Sequence, residues 1–115
     1  MVFMPASLFE GIYFLEGNKG FDCNSLLIKG NKTALIDPGF GKEKELIGLG
    51  LDFDSICLIL LTHCHADHFF SASNFKNAEI LASKDTALKI TEKDASSTAS
   101  DFFNGTIFPG KISAI

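Results

Sequence analysis

Leu60-Leu61-Thr62-His63-Cys64-His65-Ala66-Asp67-His68 holds all 3 histidines of this 115-residue chain. It grows out of Ser55-Ile56-Cys57-Leu58-Ile59-Leu60-Leu61, a run that is almost wholly apolar and rich in branched side chains. A short continuous run of this kind predicts a strand buried on both faces. Ligand-type residues begin where that strand ends, which is where open α/β sheets build their sites. On an extended backbone His63 and His65 point to one side, because side chains alternate with period two. Two imidazoles on one side can chelate a single ion, while Cys64 points away and is not read as a ligand. Asp67 and His68 follow where the chain must turn, within reach of a second ion beside the first. The plain structural alternative is a polar turn in which Asp67 caps the next helix. Against it, three clustered imidazoles would repel one another on protonation if no metal held them.

His63-x-His65-x-Asp67-His68 behind an apolar strand resembles the signature of the metallo-β-lactamase superfamily, and within it the glyoxalase II-like hydrolases. The resemblance runs from about Gly11 onward. It implies an α/β (α+β) fold, an αββα sandwich whose mixed sheet is flanked by helices and holds one or two metals. Those are usually zinc, sometimes iron or manganese. In the family's pattern His63 and His65 would bind one metal, and Asp67 and His68 the other. The reaction implied is attack of metal-bound hydroxide on the carbonyl of a small thioester or ester, as in hydroxyacylglutathione hydrolysis, with Asp67 orienting the nucleophile.

Asp37-Pro38-Gly39-Phe40-Gly41 has the chemistry of a plain turn. The family carries an Asp at this place before a Gly-bearing loop, so the resemblance gives Asp37 a supporting role, hydrogen-bonded to a ligand histidine or its backbone.

A catalytic zinc normally keeps three protein ligands plus water, and no histidine remains here after His68. The family completes its site with a later His, a bridging carboxylate and a final His. Asp85, Asp94 and Asp101 do not follow apolar strands as those ligands do. Ile112 to Ile115 reads as an interior strand. The expectation is therefore one incomplete domain over residues 1–115, the N-terminal half of such a hydrolase. The alternative is a truncated, catalytically incompetent metal-binding half-domain that needs a second chain or second copy to complete the fold.

Composition narrows the function classes. The formal charge is −4, and the 10 basic residues are all lysine without a cluster, which argues against a nucleic-acid surface. Apolar content of 46% with 12 Phe predicts a globular core. Cys23, Cys57 and Cys64 show no C-x-x-C spacing and read as reduced, mostly buried thiols. The first residues lack the charged start of a signal peptide, and the longest apolar run, Ile56 to Leu61, is far too short to span a membrane. A cytoplasmic enzyme acting on a small molecule, with no membrane or nucleic-acid partner, is the expectation.

The remaining chain reads as strands and short helices. Gly11 to Glu16 predicts a strand, followed by turn chemistry at Gly17-Asn18-Lys19-Gly20. Asn24 to Lys29 and Lys32 to Ile36 predict a hairpin about Gly30-Asn31. Lys42 to Leu49 predicts a helix with Leu46, Ile47 and Leu49 inward, and Phe69 to Phe75 a short helix after the motif, where Phe69 or Phe70 enters the core. Ala78 to Ala82 predicts a strand. Ser83 is expected to cap a helix over Lys84 to Lys93 with Ala87, Leu88 and Thr91 on one face. Residues 94–100 read as a loop or weak helix anchored by Phe102 and Phe103.

Overall fold

Alternating apolar residues in the first half of the chain build a sheet, and short helices cover one side of it. The fold is that of a computed structural model, which describes residues 6–17 and 22–115. The strands are β1 (Ala6–Phe9), β2 (Ile12–Leu15), β3 (Ser25–Ile28), β4 (Thr33–Ile36), β5 (Ile56–Leu61), β6 (Glu79–Ala82) and β7 (Ser113–Ala114). They lie side by side in chain order in one 7-stranded sheet. β1 to β4 form an antiparallel meander, while β4, β5, β6 and β7 pair in parallel. The helices are α1 (Glu43–Gly48), α2 (Ala66–Phe69), α3 (Lys84–Thr91) and α4 (Ala95–Thr98). A mixed sheet with helices is the expected fold class.

The core lies on one face only. Leu27, Leu35, Ile59, Ile80 and Ala82 point to the helices, where they meet Leu46, Phe69 and Ile90. Phe69 is fully buried, so Phe69→Ala would cost about 3–5 kcal/mol through lost transfer energy and a residual cavity. The register places the other residues of each strand on the opposite face. One cross-strand row runs Phe14, Leu26, Ile36, Leu60, Leu81. The next runs Ile12, Ile28, Ala34, Leu58, Glu79. None of these residues joins the buried cluster, and all but Ala34 remain half-exposed or exposed.

Several sequence expectations change here. β5 is buried on its helix side alone, with Leu58 and Leu60 half-exposed and Cys57 exposed, because no described helix covers the other face. In α1 the inward stripe is Lys42, Glu45, Leu46 and Leu49, at the i, i+3, i+4, i+7 spacing of a helix, and Ile47 faces out. Charged residues occupy that stripe because Lys42 has a buried partner, described below. In α3 the inward residues are Thr86, Ala87 and Ile90, with Leu88 and Thr91 outward, although Ser83 caps the helix as expected. The post-motif helix begins earlier than expected, at Ala66, and a 3-10 turn at Ala72–Asn74 replaces its second half. Phe103 packs against the core but Phe102 is 87% exposed. β7 is an edge strand and not an interior one, and β1 was not foreseen. Of the expected turn at residues 17–20, positions 18–20 lie outside the described residues.

Candidate metal centre

The site forms where β5 stops. Leu61 is the last strand residue, and Thr62 and His63 continue the chain to His65, which is extended (φ −71°, ψ 136°) and stands at the N-cap of α2. Asp67 and His68 therefore fall on the first turn of that helix. This bend folds the three imidazoles onto one another. The His63 ring lies 4.7 Å from that of His65 and 4.1 Å from that of His68, centroid to centroid. His68 Nε2 is 3.7 Å from Asp67 Oδ2. Of the four residues that the sequence singles out, His63 and His68 bring ligand atoms together, while His65 and Asp67 stand beside them and outside that group. Cys64 points away, its thiol donating to the Ser97 carbonyl at 3.3 Å.

Asp37 lies beneath them. Its backbone is left-handed (φ 54°), a conformation that Asp tolerates better than most residues. Neighbours fix that conformation. The Asp37 N–H donates to the Leu60 carbonyl at 2.9 Å, and the Asp37 carbonyl accepts from Ser25 Oγ at 2.5 Å and Cys23 Sγ at 3.4 Å. The carboxylate then meets the ligand loop. Oδ1 accepts from the Thr62 N–H at 2.9 Å, Oδ2 accepts from the Thr62 hydroxyl at 2.5 Å, and His68 Nδ1 stands 3.0 Å from Oδ2. That last contact is short but not aligned as a hydrogen bond; it is an ion pair.

The proton count orders the rings. Thr62 has one hydroxyl proton, and it goes to Asp37. Its oxygen is 3.0 Å from His63 Nδ1, so His63 Nδ1–H must be the donor in that contact. The far nitrogen, Nε2, is left with its lone pair. In His68, Nδ1 is turned to Asp37 and Nε2 to the Asp67 side.

Charges follow the geometry. Burial raises the Asp37 pKa and is the largest single influence, but the contacts from His68 and Thr62 together outweigh it and leave the carboxyl below its usual range. The Asp37 contact, then Cys23, raise His68 to about 10. His63 is lowered, first by burial and then by repulsion from His68 and His65. A neutral His63 is the form that can ligate a metal.

The residues present fit a metal ion. Asp37, His63 and His68 each offer one ligand atom, all within 4.8 Å of one another. Imidazole nitrogens with carboxylate oxygens suit zinc, iron or manganese. Asp37 differs from the sequence reading in standing inside this cluster. Its oxygens are also engaged by Thr62 and His68.

Two further residues hold the floor and were missed in the sequence. Lys42, fully buried, places Nζ 2.9 Å from both oxygens of Asp22, and Asp22 Oδ1 also accepts from the Phe40 N–H at 3.0 Å. The loop between them is tied to α2, since Gly39 N–H donates to the His68 carbonyl at 2.9 Å and Ser71 N–H to the Gly39 carbonyl at 2.8 Å. Only a lysine directly after a Gly-rich turn hinted at this. Its partner lies 20 positions upstream.

The sequence model of the metallo-beta-lactamase superfamily matches residues 18–83, more than half of the chain. The chain belongs to the metallo-β-lactamase superfamily. Over 69 residues it is 38% identical to a protein of Pyrococcus abyssi named as a metal-dependent hydrolase; the match takes in 57% of this chain and 31% of that one. The fold resembles BJP-1, a subclass B3 metallo-β-lactamase of Bradyrhizobium japonicum, with TM-score 0.74 and 22% identity. That superposition covers 98% of this chain and 45% of the enzyme. MEM-A1, a subclass B3 enzyme from a soil metagenome library, gives TM-score 0.72 at 21% identity over 97% of this chain and 46% of the enzyme. The chain therefore spans under half the length of these superfamily members. Among the described residues, no helix is long and apolar enough to cross a membrane.

Proposed function

We propose that this chain carries the metal-binding half of a metallo-β-lactamase superfamily hydrolase, acting on a small thioester or ester in the manner of the glyoxalase II-like members. The observation that carries the reading is the joint support of His63 and His68 by Asp37, directly and through Thr62. Such a relay orients two imidazoles toward one point, which a core histidine has no need of. His63, His65, Asp67 and His68 would hold one or two ions, zinc first among the candidates. When bound, the metal supplies an activated water and polarises a carbonyl oxygen.

The chain's own residues do the rest. Asp37 holds the proton on His63 Nδ1, by way of Thr62, and faces His68 Nδ1. Nε2 of His63 is therefore available to a metal, and Nε2 of His68 becomes so once that ring sheds its second proton. Asp67, whose Oδ2 lies 3.7 Å from His68 Nε2, would accept a hydrogen bond from the attacking water and fix its approach. A cavity of about 420 Å³ beside it is lined by His65, Asp67, Ala99, Phe102 and Phe103, within the usual size for a small-molecule site. Its apolar wall suits the acyl portion of a small ester. Three free thiols, one of them exposed at Cys57, fit a reducing compartment such as the cytoplasm.

One observation favours a weaker second reading, a half-domain that binds metal without turning over substrate. With Asp37 engaged, the described residues offer too few donors to give two ions three protein ligands each. Elemental analysis and an ester and thioester hydrolysis assay separate these readings. The wild type should take up zinc, and the His63→Ala/His65→Ala chain should lose most of it. Equal metal in both chains refutes the site. Metal without turnover selects the second reading.

A further inference from the structure

We propose that Lys42 and Asp22 are positioning residues for the metal centre: their buried ion pair clamps the Gly39–Phe40 peptide, and that peptide sets the place of His68. The role rests on the metal-centre reading above, in which His68 is a ligand. Neither residue belongs to the group of possible ligand residues, and neither charge enters the proposed chemistry. Yet Lys42 is fully buried, which is rare for a lysine, and its charge is spent on one carboxylate.

The bonds converge on one peptide. Lys42 Nζ stands 2.9 Å from each Asp22 carboxylate oxygen and so fixes the plane of that group. Asp22 Oδ1 in turn accepts from the Phe40 N–H at 3.0 Å. On the other edge of the same peptide, the Gly39 carbonyl accepts from the Ser71 N–H at 2.8 Å. One peptide earlier, the Gly39 N–H donates to the His68 carbonyl at 2.9 Å. The path from the buried charge to the ligand thus runs through one carboxylate, one peptide and two backbone hydrogen bonds.

Two features give such a clamp its use. Gly39 has φ +66°, in a region where glycine moves freely, so the residue does not hold the peptide's orientation by itself. α2 has 4 residues, far too few to be a stable helix alone, so outside contacts place His68 on it. An apolar pair of similar volume would avoid desolvating two charges. It would offer no acceptor to the Phe40 N–H, however, and the peptide could turn. Metal–nitrogen distances tolerate only about 0.2 Å, so a small turn carried to His68 weakens binding. Stability and positioning are therefore separable properties of this pair.

Zinc affinity by chelator competition, read beside the urea midpoint of the full chain, tests the proposal. Asp22→Leu with Lys42→Met should keep most of the stability yet bind zinc about 10- to 100-fold more weakly, the range seen when a ligand loses its support. Asp22→Asn should do the reverse. It should lose stability but stay within about threefold of wild type in affinity, because its amide oxygen still accepts from the Phe40 N–H. With cobalt in place of zinc, the double variant should shift the visible absorption of the bound ion, and Asp22→Asn should leave it unmoved. Affinity that falls and recovers in step with the urea midpoint overturns the proposal and makes the pair a core element only. So does wild-type affinity in the double variant, which would leave the loop to the Phe40–Phe70 ring contact at 4.4 Å. If the double variant does not fold, the Asp22→Asn result decides alone. A wild type that takes up no more zinc than the His63→Ala/His65→Ala chain overturns the metal-centre reading itself, and this role with it.

Discussion

Thr62 binds Asp37 twice, its N–H on one carboxylate oxygen at 2.9 Å and its hydroxyl on the other at 2.5 Å. A two-point grip leaves the carboxylate no rotation, so the residue 25 positions away becomes the template for the ligand loop. The same hydroxyl oxygen then faces His63 at 3.0 Å. Strand end, turn and ligand are therefore one connected unit, and a change at any link is felt at the metal.

Asp37→Asn should lower zinc affinity by about 10- to 100-fold, the usual effect of losing an outer carboxylate. The amide NH2 would oppose the Thr62 donors and hold no charge against His68. Thr62→Val should fall in the same range, and Thr62→Ser should retain most of the affinity because it keeps the hydroxyl. Competition with a chromophoric chelator reads all three. Unchanged affinity with a lower melting temperature would reduce Asp37 to a turn residue.

The pH dependence follows from His68, raised to about 10 by Asp37. A ligand histidine must shed its proton to bind metal. Zinc uptake at neutral pH should therefore release close to one proton from His68, and apparent affinity should climb roughly tenfold per pH unit toward 10. In the chelator-treated chain the sign reverses for stability. A raised folded pKa stabilises fully below the unfolded value of 6.5, and the gain is lost as pH rises through about 10. Asp37, with a lowered pKa, stabilises above the ordinary carboxyl value of 3.8 and loses this as pH falls. Urea midpoints of the metal-free chain should peak between these limits, and His68→Gln should flatten the alkaline side.

Much of this was legible in the sequence because it is local. The apolar strand, the imidazole spacing and the Asp-Pro-Gly turn each declare themselves within a few residues. What escaped depends on distance. Nothing near Thr62 says that its hydroxyl meets Asp37, and nothing near Lys42 names Asp22. The two-sided burial expected of β5 failed for a related reason: Leu58 and Leu60 are apolar enough for an interior, but the layer that would cover them is not among the described helices. Periodicity reports that a face is apolar, not what covers it.

Gly39→Ala should destabilise the loop by more than the ordinary cost of a single methyl group. Gly39 has φ +66°, which alanine adopts with strain. An added Cβ would also press on the Asp22 carboxylate and lie 2.8 Å from Lys42 Nζ. Since Gly39 N–H holds the His68 carbonyl, metal affinity should fall together with the melting temperature. A variant as stable as wild type would show that the loop can yield.

Lys42 and Asp22 give the sharpest energetic test. The side chains are 0% and 4% exposed, with Nζ 2.9 Å from each carboxylate oxygen, so neither charge can turn to water. Removing one partner leaves the other buried and uncompensated, which costs about 3–5 kcal/mol. Lys42→Met, which keeps the length and apolar stem, should therefore lose stability in that range by urea unfolding. Asp22→Asn should lose less, because its amide oxygen can still accept from the Phe40 N–H and from Lys42. Replacing both charges by apolar residues, Asp22→Leu with Lys42→Met, should recover a large part of the single-mutant loss, since desolvating an ion pair offsets much of its attraction. Phe40 N–H would remain unpaired in that double variant, so recovery should stop short of wild type by about 1–3 kcal/mol. If the double variant loses the full sum of the two single effects, the pair does not act as a unit and the loop rests on other contacts.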